Sequence, residues 1–434
     1  MKEKVGNKLL TRGIKVRLYP NKAQSALINK SLGCDRFIYN WALALKNRRY
    51  DDFKQNVSWL EINWLITNIV KQSDEFSWLK EPSSSVLIHS LMKLDKAYSS
   101  FFKTKKGFPK FKKRREFNSF VLSDKSIVID NGQMKLPKLG IIKVAGLRKF
   151  EGRIKNVTVL KSPSGEYYLT FVMQDVEKTV KDKTLPKKSL GIDVNIENFL
   201  TDSNGVRIEN PIIKKKFEKQ LKALDLKMSK CRKVTNVKTG KKEFSKNYEK
   251  LRVKRAKIYQ KITDIKSDFL HKLSTNIVKN HDEVVIEKLQ IGNMLKNHCL
   301  AEAISNVSWG KFFEMLRYKG EWYDCDIIEV APHFTSQDCS ECDKRSETKL
   351  GLNVREWTCA FCGAHHVRDF NSAKNILKKV KKAKGTGVVL KDRRDMVVTP
   401  VNEPVIENEF LLIKNHEDFC LRTPDLYGTW NIDL

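Results

Sequence analysis

The sequence predicts a multidomain α/β protein: an N-terminal β-barrel takes up an inserted helical unit, and a second α/β region follows, with a four-cysteine zinc site near its end. Three observations predict it. Residues 120–176 alternate apolar and polar side chains and contain two hairpin signals, Asn131-Gly132 and Pro163-Ser164-Gly165. Residues 20–102 carry apolar side chains at helical spacing instead. From Ser189 onward, short apolar runs alternate with long Lys-rich amphipathic stretches, and four cysteines stand near the end as two C-x-x-C pairs.

Composition narrows the partner. The 434 residues hold 83 Lys and Arg against 51 Asp and Glu, a net charge of +32, with a pI near 9.7. An excess spread along the whole chain points to a polyanion. Nucleic acid comes first, because each neutralised phosphate releases counterions and adds affinity. A membrane surface comes second. No run of about twenty apolar residues exists to make a transmembrane helix, and residues 1–20 lack the apolar core of a signal peptide. Of nine cysteines, Cys34, Cys231, Cys299, Cys325 and Cys420 are scattered without pairing pattern, which fits a reducing cytoplasm.

In chain order, residues 1–10 form a polar arm, and Ile14–Pro20 alternates apolar and basic residues as a strand does. Asn21 with Gln24 three residues on offers a capping box for the helix that follows, whose apolar side carries Leu27, Ile28, Phe37, Ile38, Trp41 and Leu45. Further helical patterns cover Trp59–Val70 and Val86–Phe102. Then Phe101–Phe117 interleaves Lys105, Lys106, Lys110, Lys112, Lys113, Arg114 and Arg115 with phenylalanines, and Gly107 and Pro109 stop a regular helix. Basic side chains so placed can hold phosphates while rings stack on bases or anchor the loop. A solvated linker with its rings in the core is the alternative. The strand near Ile14 is expected to join the β-rich region, which makes the helical unit an insertion into a small barrel.

After a linker at 177–188, Leu190–Val194 is an apolar strand carrying one acid, Asp193. Such an acid is costly to bury unless paired or metal-bound; an Asp hydrogen-bonded into the next turn is the alternative. Asn198–Asp202 is the next strand, and Asn204-Gly205 turns into a third. Two helices occupy 212–280 with a break at Ser229–Asn247. Val284–Ile286 is a short buried strand that Glu287 terminates. A helix over Trp309–Trp322 and a strand over Asp326–Val330 lead to the cysteines.

Cys339 and Cys342, then sixteen residues, then Cys359 and Cys362 put two thiolate pairs on two tight turns, enough to close a tetrahedral shell around one zinc ion. Gly363 follows the second pair, where the chain must turn. With cysteine at all four positions no site is left for water, so this zinc holds shape. Asp369 opens a helix with Ala373, Ile376, Leu377 and Val380 on one face; taken alone, it reads as an N-cap.

The acids mean more together. An Asp on a first strand, a Glu ending a later strand and an Asp at a late helix follow the order of a ribonuclease-H-like sheet, where separate segments bring carboxylates to one face. Three gathered carboxylates repel each other and call for cations. Magnesium prefers such hard oxygen ligands, and two ions about 4 Å apart catalyse in-line phosphodiester cleavage. Asp193, Glu287 and Asp369 are therefore the candidate catalytic and magnesium-binding residues.

At this point the chain resembles a known family. RLYPNKAQ, GCDRFIYNWAL, FPKFKKR, GIDVNIENFLTDSNG, DFLHKLS, VVIEKL, SWGKFFEMLRYKG, TSQDCSECD and CAFCGAHHVRDFNSAKNIL, in this order over residues 14–380, look like the TnpB (OrfB-type) transposon proteins, relatives of the compact type V CRISPR effectors. The resemblance implies a wedge-like barrel (1–19 and 116–180), a helical recognition domain with its basic linker (20–115), a RuvC-like nuclease domain (188–335 and 367–384) and a zinc ribbon that contacts target nucleic acid (336–366). Residues 385–434 lie outside it; their Gly, Pro and mixed charge with little periodicity read as a loosely ordered C-terminal extension. It implies a monomer with a transposon-derived guide RNA, cutting double-stranded DNA beside a short motif, and a prokaryotic, nucleoid-associated location. By motif match Asp193, Glu287 and Asp369 become the metal-binding carboxylates. Three positions depart from the usual pattern: Asn195 and Asp343 stand where Gly is usual, and Lys288 stands where an acid is common. The alternatives are a guided DNA-binding repressor that no longer cuts, an autonomous transposase and a CRISPR-associated effector of the same kind.

Overall fold

The computed structural model describes residues 10–104, 107–113, 118–123, 127–130, 132–146, 152–176, 179–182, 184–235, 242–297, 301–346, 350–351 and 354–385. The expected C-terminal extension, from residue 386 on, lies outside the described residues, as do Lys105, Lys106, Arg114 and Arg115 of the basic linker. The described residues divide into two units, residues 10–22 with 118–385, and residues 23–113.

The first unit opens with seven antiparallel strands: β1 (Leu10–Tyr19), β2 (Ser119–Leu122), β3 (Val128–Asp130), β4 (Gln133–Leu136), β5 (Gly140–Ala145), β6 (Arg153–Lys161) and β7 (Tyr167–Val176). Their order is β2-β6-β7-β1-β5-β4-β3. Both hairpin signals hold. Gly132 turns β3 into β4 at φ +76°, and Gly165 turns β6 into β7 at φ +86°, left-handed values that suit a residue without Cβ. Alternate residues, such as Val16, Leu18, Phe120, Leu122, Leu169 and Phe171, are buried. The expected closed barrel is corrected: among the described residues the sheet is open. Its edges are the four residues of β2 and the three of β3, which do not pair with each other. Hairpin signals specify neighbouring pairs, but closure requires a matched register between two strands remote in the sheet, and no local signal encodes that.

The helical unit departs between β1 and β2, as the insertion reading requires. It comprises α1 (Lys22–Phe53), α2 (Trp59–Asn68) and α3 (Ser84–Thr104), with 3-10 turns at Val70–Gln72 and Asp74–Lys80. Ile38, Leu43, Ile62, Ile66, Leu79 and Leu87 make its core. Ser58 and Glu61 form a reciprocal capping box at the start of α2.

The rest of the first unit is α/β. It runs β8 (Ser189–Asp193), β9 (Asn198–Asp202), β10 (Arg207–Glu209), α4 (Ile213–Ser229), a hairpin of β11 (Lys233–Thr235) and β12 (Lys242–Phe244), α5 (Lys246–Asn280), β13 (Glu283–Glu287), α6 (Ile291–Met294), α7 (Ala301–Val307), α8 (Trp309–Tyr323) and β14 (Asp326–Val330). A second small hairpin, β15 (Glu356–Thr358) and β16 (His365–Val367), leads into α9 (Arg368–Gly385). The five-stranded sheet has the order β10-β9-β8-β13-β14, with β8, β13 and β14 parallel. One face packs Leu190, Ile192, Val284 and Ile286 against Leu270 and Ile277 of α5 and Phe312 and Leu316 of α8. The other packs Val285 and Val330 against Ile376 and Val380 of α9. Cover on both faces explains why Val284–Ile286 is continuously apolar rather than alternating. Gly191 lets α9 approach closely: a Cβ there would overlap the Ala373 carbonyl and stand 2.9 Å from Leu377 Cβ.

Candidate active site

β8 and β13 lie side by side with Ile192 opposite Ile286. The next residue on each strand is an acid, so Asp193 and Glu287 leave the sheet as neighbours at its carboxyl edge, where open α/β sheets place their ligands. Side chains alternate along a strand. Ile192 and Ile286 enter the core with α5 and α8, whereas Gly191 and Val285 meet α9, so Asp193 and Glu287 share the α9 face. Asp369 lies in the first turn of that helix. It is the second helical residue, which corrects the N-cap reading. The three sequence-predicted acids thus come from three distant segments to one edge.

Their electrostatics are unfavourable in the bare protein. Burial, first, and then the negative charges of Glu287 and Asp369 push the Asp193 carboxyl well above its ordinary range, with Arg368 opposing. Burial also raises Glu287, against a hydrogen bond from Thr335 Oγ1 to its Oε1 at 2.6 Å and the nearby charge of Lys379. Asp369 is held by Asn195, whose Nδ2 donates to Oδ2 at 2.8 Å while its Oδ1 accepts from the Asn198 amide at 2.6 Å. Arg355 Nη1 stands 4.0 Å from Asp369 Oδ1. Burial disfavours the charged forms of Asp193 and Glu287, a penalty that a divalent cation preferring hard oxygen donors would relieve.

The four cysteines form a different kind of site. Their sulfurs all lie within 4.8 Å of one another, the one such group of His, Cys, Asp or Glu among the described residues. Cys339 and Cys362 are 3.6 Å apart, as are Cys342 and Cys359. Four sulfurs about 2.3 Å from a central zinc ion would be spaced by roughly this distance, whereas a disulfide needs about 2.05 Å. Both turns repeat one geometry. The Asp343 amide donates to the Cys339 carbonyl at 3.0 Å and the Gly363 amide to the Cys359 carbonyl at 2.9 Å. Both residues are left-handed, at φ +61° and +72°. His366, buried against Trp357, brings Nε2 to 3.0 Å from Cys339 Sγ. The cluster is compatible with one zinc ion.

Of the basic linker, Lys110 and Lys113 are exposed. The backbone of Lys112 is clamped by Asn40, which accepts from its amide at 2.7 Å and donates to its carbonyl at 3.0 Å. Phe108 meets Tyr98 and Phe101 edge-on, while Phe102 is exposed. Some rings therefore anchor the segment and others face solvent.

The family model described as "Probable transposase" matches residues 171–298, one described as "Cas12f1-like, TNB domain" matches 309–376, and one described as "Helix-turn-helix domain" matches 10–55. A protein of Streptomyces pristinaespiralis named "Putative RNA-guided DNA endonuclease" is 33% identical over 88% of this chain and 93% of its own. InsQ of Escherichia coli (strain K12), which carries the same designation, is 30% identical over 84% of this chain and 91% of its own. A TnpB-like protein of Acanthamoeba polyphaga mimivirus is 28% identical over 52% of this chain and 43% of its own. The chain belongs to the TnpB-like family of RNA-guided endonucleases. For this member residues 10–55 fold as a strand followed by one 32-residue helix, not as a helix–turn–helix. The "TNB" match spans both C-x-x-C turns and Asp369.

The structure brings the three sequence-predicted acids to one sheet edge and the four cysteines together, among residues that sequence reasoning did not single out. Thr335, Arg355, Lys379 and His366 had no separate signal. Asn195 had one: it departs from the family pattern, and it is the residue that holds Asp369.

Proposed function

We propose that this protein is an RNA-guided DNA endonuclease of an IS605-type transposon, and that Asp193, Glu287 and Asp369 carry its cleavage chemistry. The observation that supports this most is the convergence of the three acids at one edge of the sheet, with the charged form of Asp193 disfavoured by burial and then by the other two. Magnesium held there would stabilise charge on the phosphodiester and acidify the attacking water. The chain's own residues hold the acids in place: Thr335 orients Glu287, Asn195 orients Asp369, and Arg368 and Lys379 limit the charge excess. The cysteine cluster holds one structural zinc. The seven-stranded sheet and the helical unit supply the wedge and recognition surfaces, and Lys110, Lys112 and Lys113, with Lys105, Lys106, Arg114 and Arg115, meet nucleic-acid phosphates. Base pairing with the guide reads the target, so the protein's positive charge is spread widely instead of being confined to one groove-reading helix.

The test is co-purification with the flanking transposon DNA, sequencing of bound RNA, and magnesium-dependent cleavage of a plasmid library with a randomised flank. A discrete RNA and guided cutting that fails in Asp193→Ala are expected. Bound RNA with no cutting by the wild type would make the protein a guided repressor, and no discrete RNA would make it an autonomous transposase.

A further inference from the structure

Phe334 precedes Thr335, the residue that donates to Glu287. Three features set it apart. Its φ is +60°, a left-handed conformation that bulky aromatic residues rarely adopt. Its side chain is 46% exposed. And the guanidinium carbon of Arg345 lies 3.5 Å from the centre of its ring.

The surroundings enforce this arrangement. Lys379 Nζ donates to the His333 carbonyl at 2.6 Å, the amides of Gln337 and Asp338 donate to the Phe334 carbonyl at 3.1 and 3.0 Å, and Asn375 Nδ2 donates to the Thr335 carbonyl at 2.9 Å. Arg345 is fixed in turn by Asp338, through a 2.8 Å bond from Nε to Oδ1 and a backbone bridge. A strained backbone pinned at three successive carbonyls holds the ring out in solvent at a set position from Glu287. Strain that the surroundings over-determine in this way clusters at ligand clamps.

A half-exposed phenyl ring with a guanidinium on one face and the His333 ring tilted 6.3 Å away can stack on another flat π-system. A nucleobase is such a group, and the phosphates on either side of it would meet Arg345 and Lys379. Stacking tolerates any base, which suits a strand whose sequence varies with the target. We propose that Phe334, backed by Arg345, is a stacking platform for one nucleobase of the single-stranded DNA segment that enters the carboxylate site. This rests on the nuclease reading above.

The test compares wild type, Phe334→Asn and Phe334→Tyr as guide-loaded complexes. Target DNA carries 2-aminopurine at successive positions around the cut, read by fluorescence without magnesium and by single-turnover cutting with it. Asn accepts left-handed φ readily, so Phe334→Asn is expected to melt no lower than wild type. It should nonetheless cut about tenfold more slowly, the scale of losing one base stack. Quenching at one position should appear in wild type, vanish in the Asn variant and return with Tyr, together with the cutting rate. Equal quenching in all three, or an Asn variant that melts lower and loses rate in step, would reduce the ring to packing and overturn the platform. A wild type that never cuts would sink the nuclease reading, while the quenching pattern would still decide the platform.

Discussion

The cysteine cluster and the carboxylate cluster are both sets of like-charged ligands, yet they are built in opposite ways. The cysteines are drawn together by two short turns of matching backbone geometry, so the cluster is local and closed. The acids come from β8, β13 and α9, far apart in sequence, and Glu287 and Asp369 are steadied by different partners, Thr335 and Asn195. A closed shell can only hold shape, whereas an open one leaves coordination free for water and phosphate. On the proposed reading, one site would stabilise the fold through zinc, and the other would cost it stability until a cation is bound.

The largest expected effect separates them on activity. Asp193→Ala or Glu287→Ala should lower guided cutting by roughly 10³-fold or more, the scale seen when catalytic groups are removed, while guide-RNA binding persists in a filter or gel assay. Loss of guide binding to the same degree would make the acids structural. Cys359→Ser should do the reverse: zinc content by atomic absorption falls, and the melting temperature drops because metal binding is folding free energy. An unchanged melt with no zinc in either protein would remove the zinc assignment.

Asn195→Ala sharpens the comparison, because it frees Asp369 without touching a ligand. Cutting should fall about tenfold through loss of an orienting bond, with partial recovery at higher magnesium; a rate equal to wild type would leave Asn195 without a role. Smaller still is a stability effect with a pH signature. A carboxyl raised in the folded state costs stability once it ionises in the unfolded chain, so the cost grows from about pH 4 up to the folded value and persists above it. Metal-free Asp193→Asn should therefore melt above wild type at neutral pH and lose that advantage as pH falls toward about 4. A variant less stable at neutral pH would contradict the repulsion. At the small end, Asp343→Gly should stabilise the first cysteine turn by up to about 1 kcal/mol, read by chemical denaturation, because Asp343 occupies a left-handed position. The ion pair it forms with Lys378 at 3.4 Å is half exposed and offsets little of this.

Legibility followed the range of the interactions. The strands at Asn198–Asp202 and Asp326–Val330 and the helix beginning at Trp309 match the pattern reading closely, since period and turn residues are local signals. Both cysteine turns were equally plain, because C-x-x-C contains its own geometry. The open edge between β2 and β3 was not, nor was the left-handed Phe334, since each depends on segments the local pattern does not see.

By itself, the sequence determined the alternation of strands and helices, a charge that points to a polyanionic partner, and the three acids and four cysteines proposed as ligands. Only the tertiary structure decided that Asp193 and Glu287 emerge as neighbours on the α9 face, and that Asn195, Thr335, Arg355 and Lys379 hold or balance them. Ligand identity is a matter of side-chain chemistry and can be read from one position. Orientation depends on register between β8 and β13 and on the close approach of α9 over Gly191, contacts between residues remote from one another in the chain.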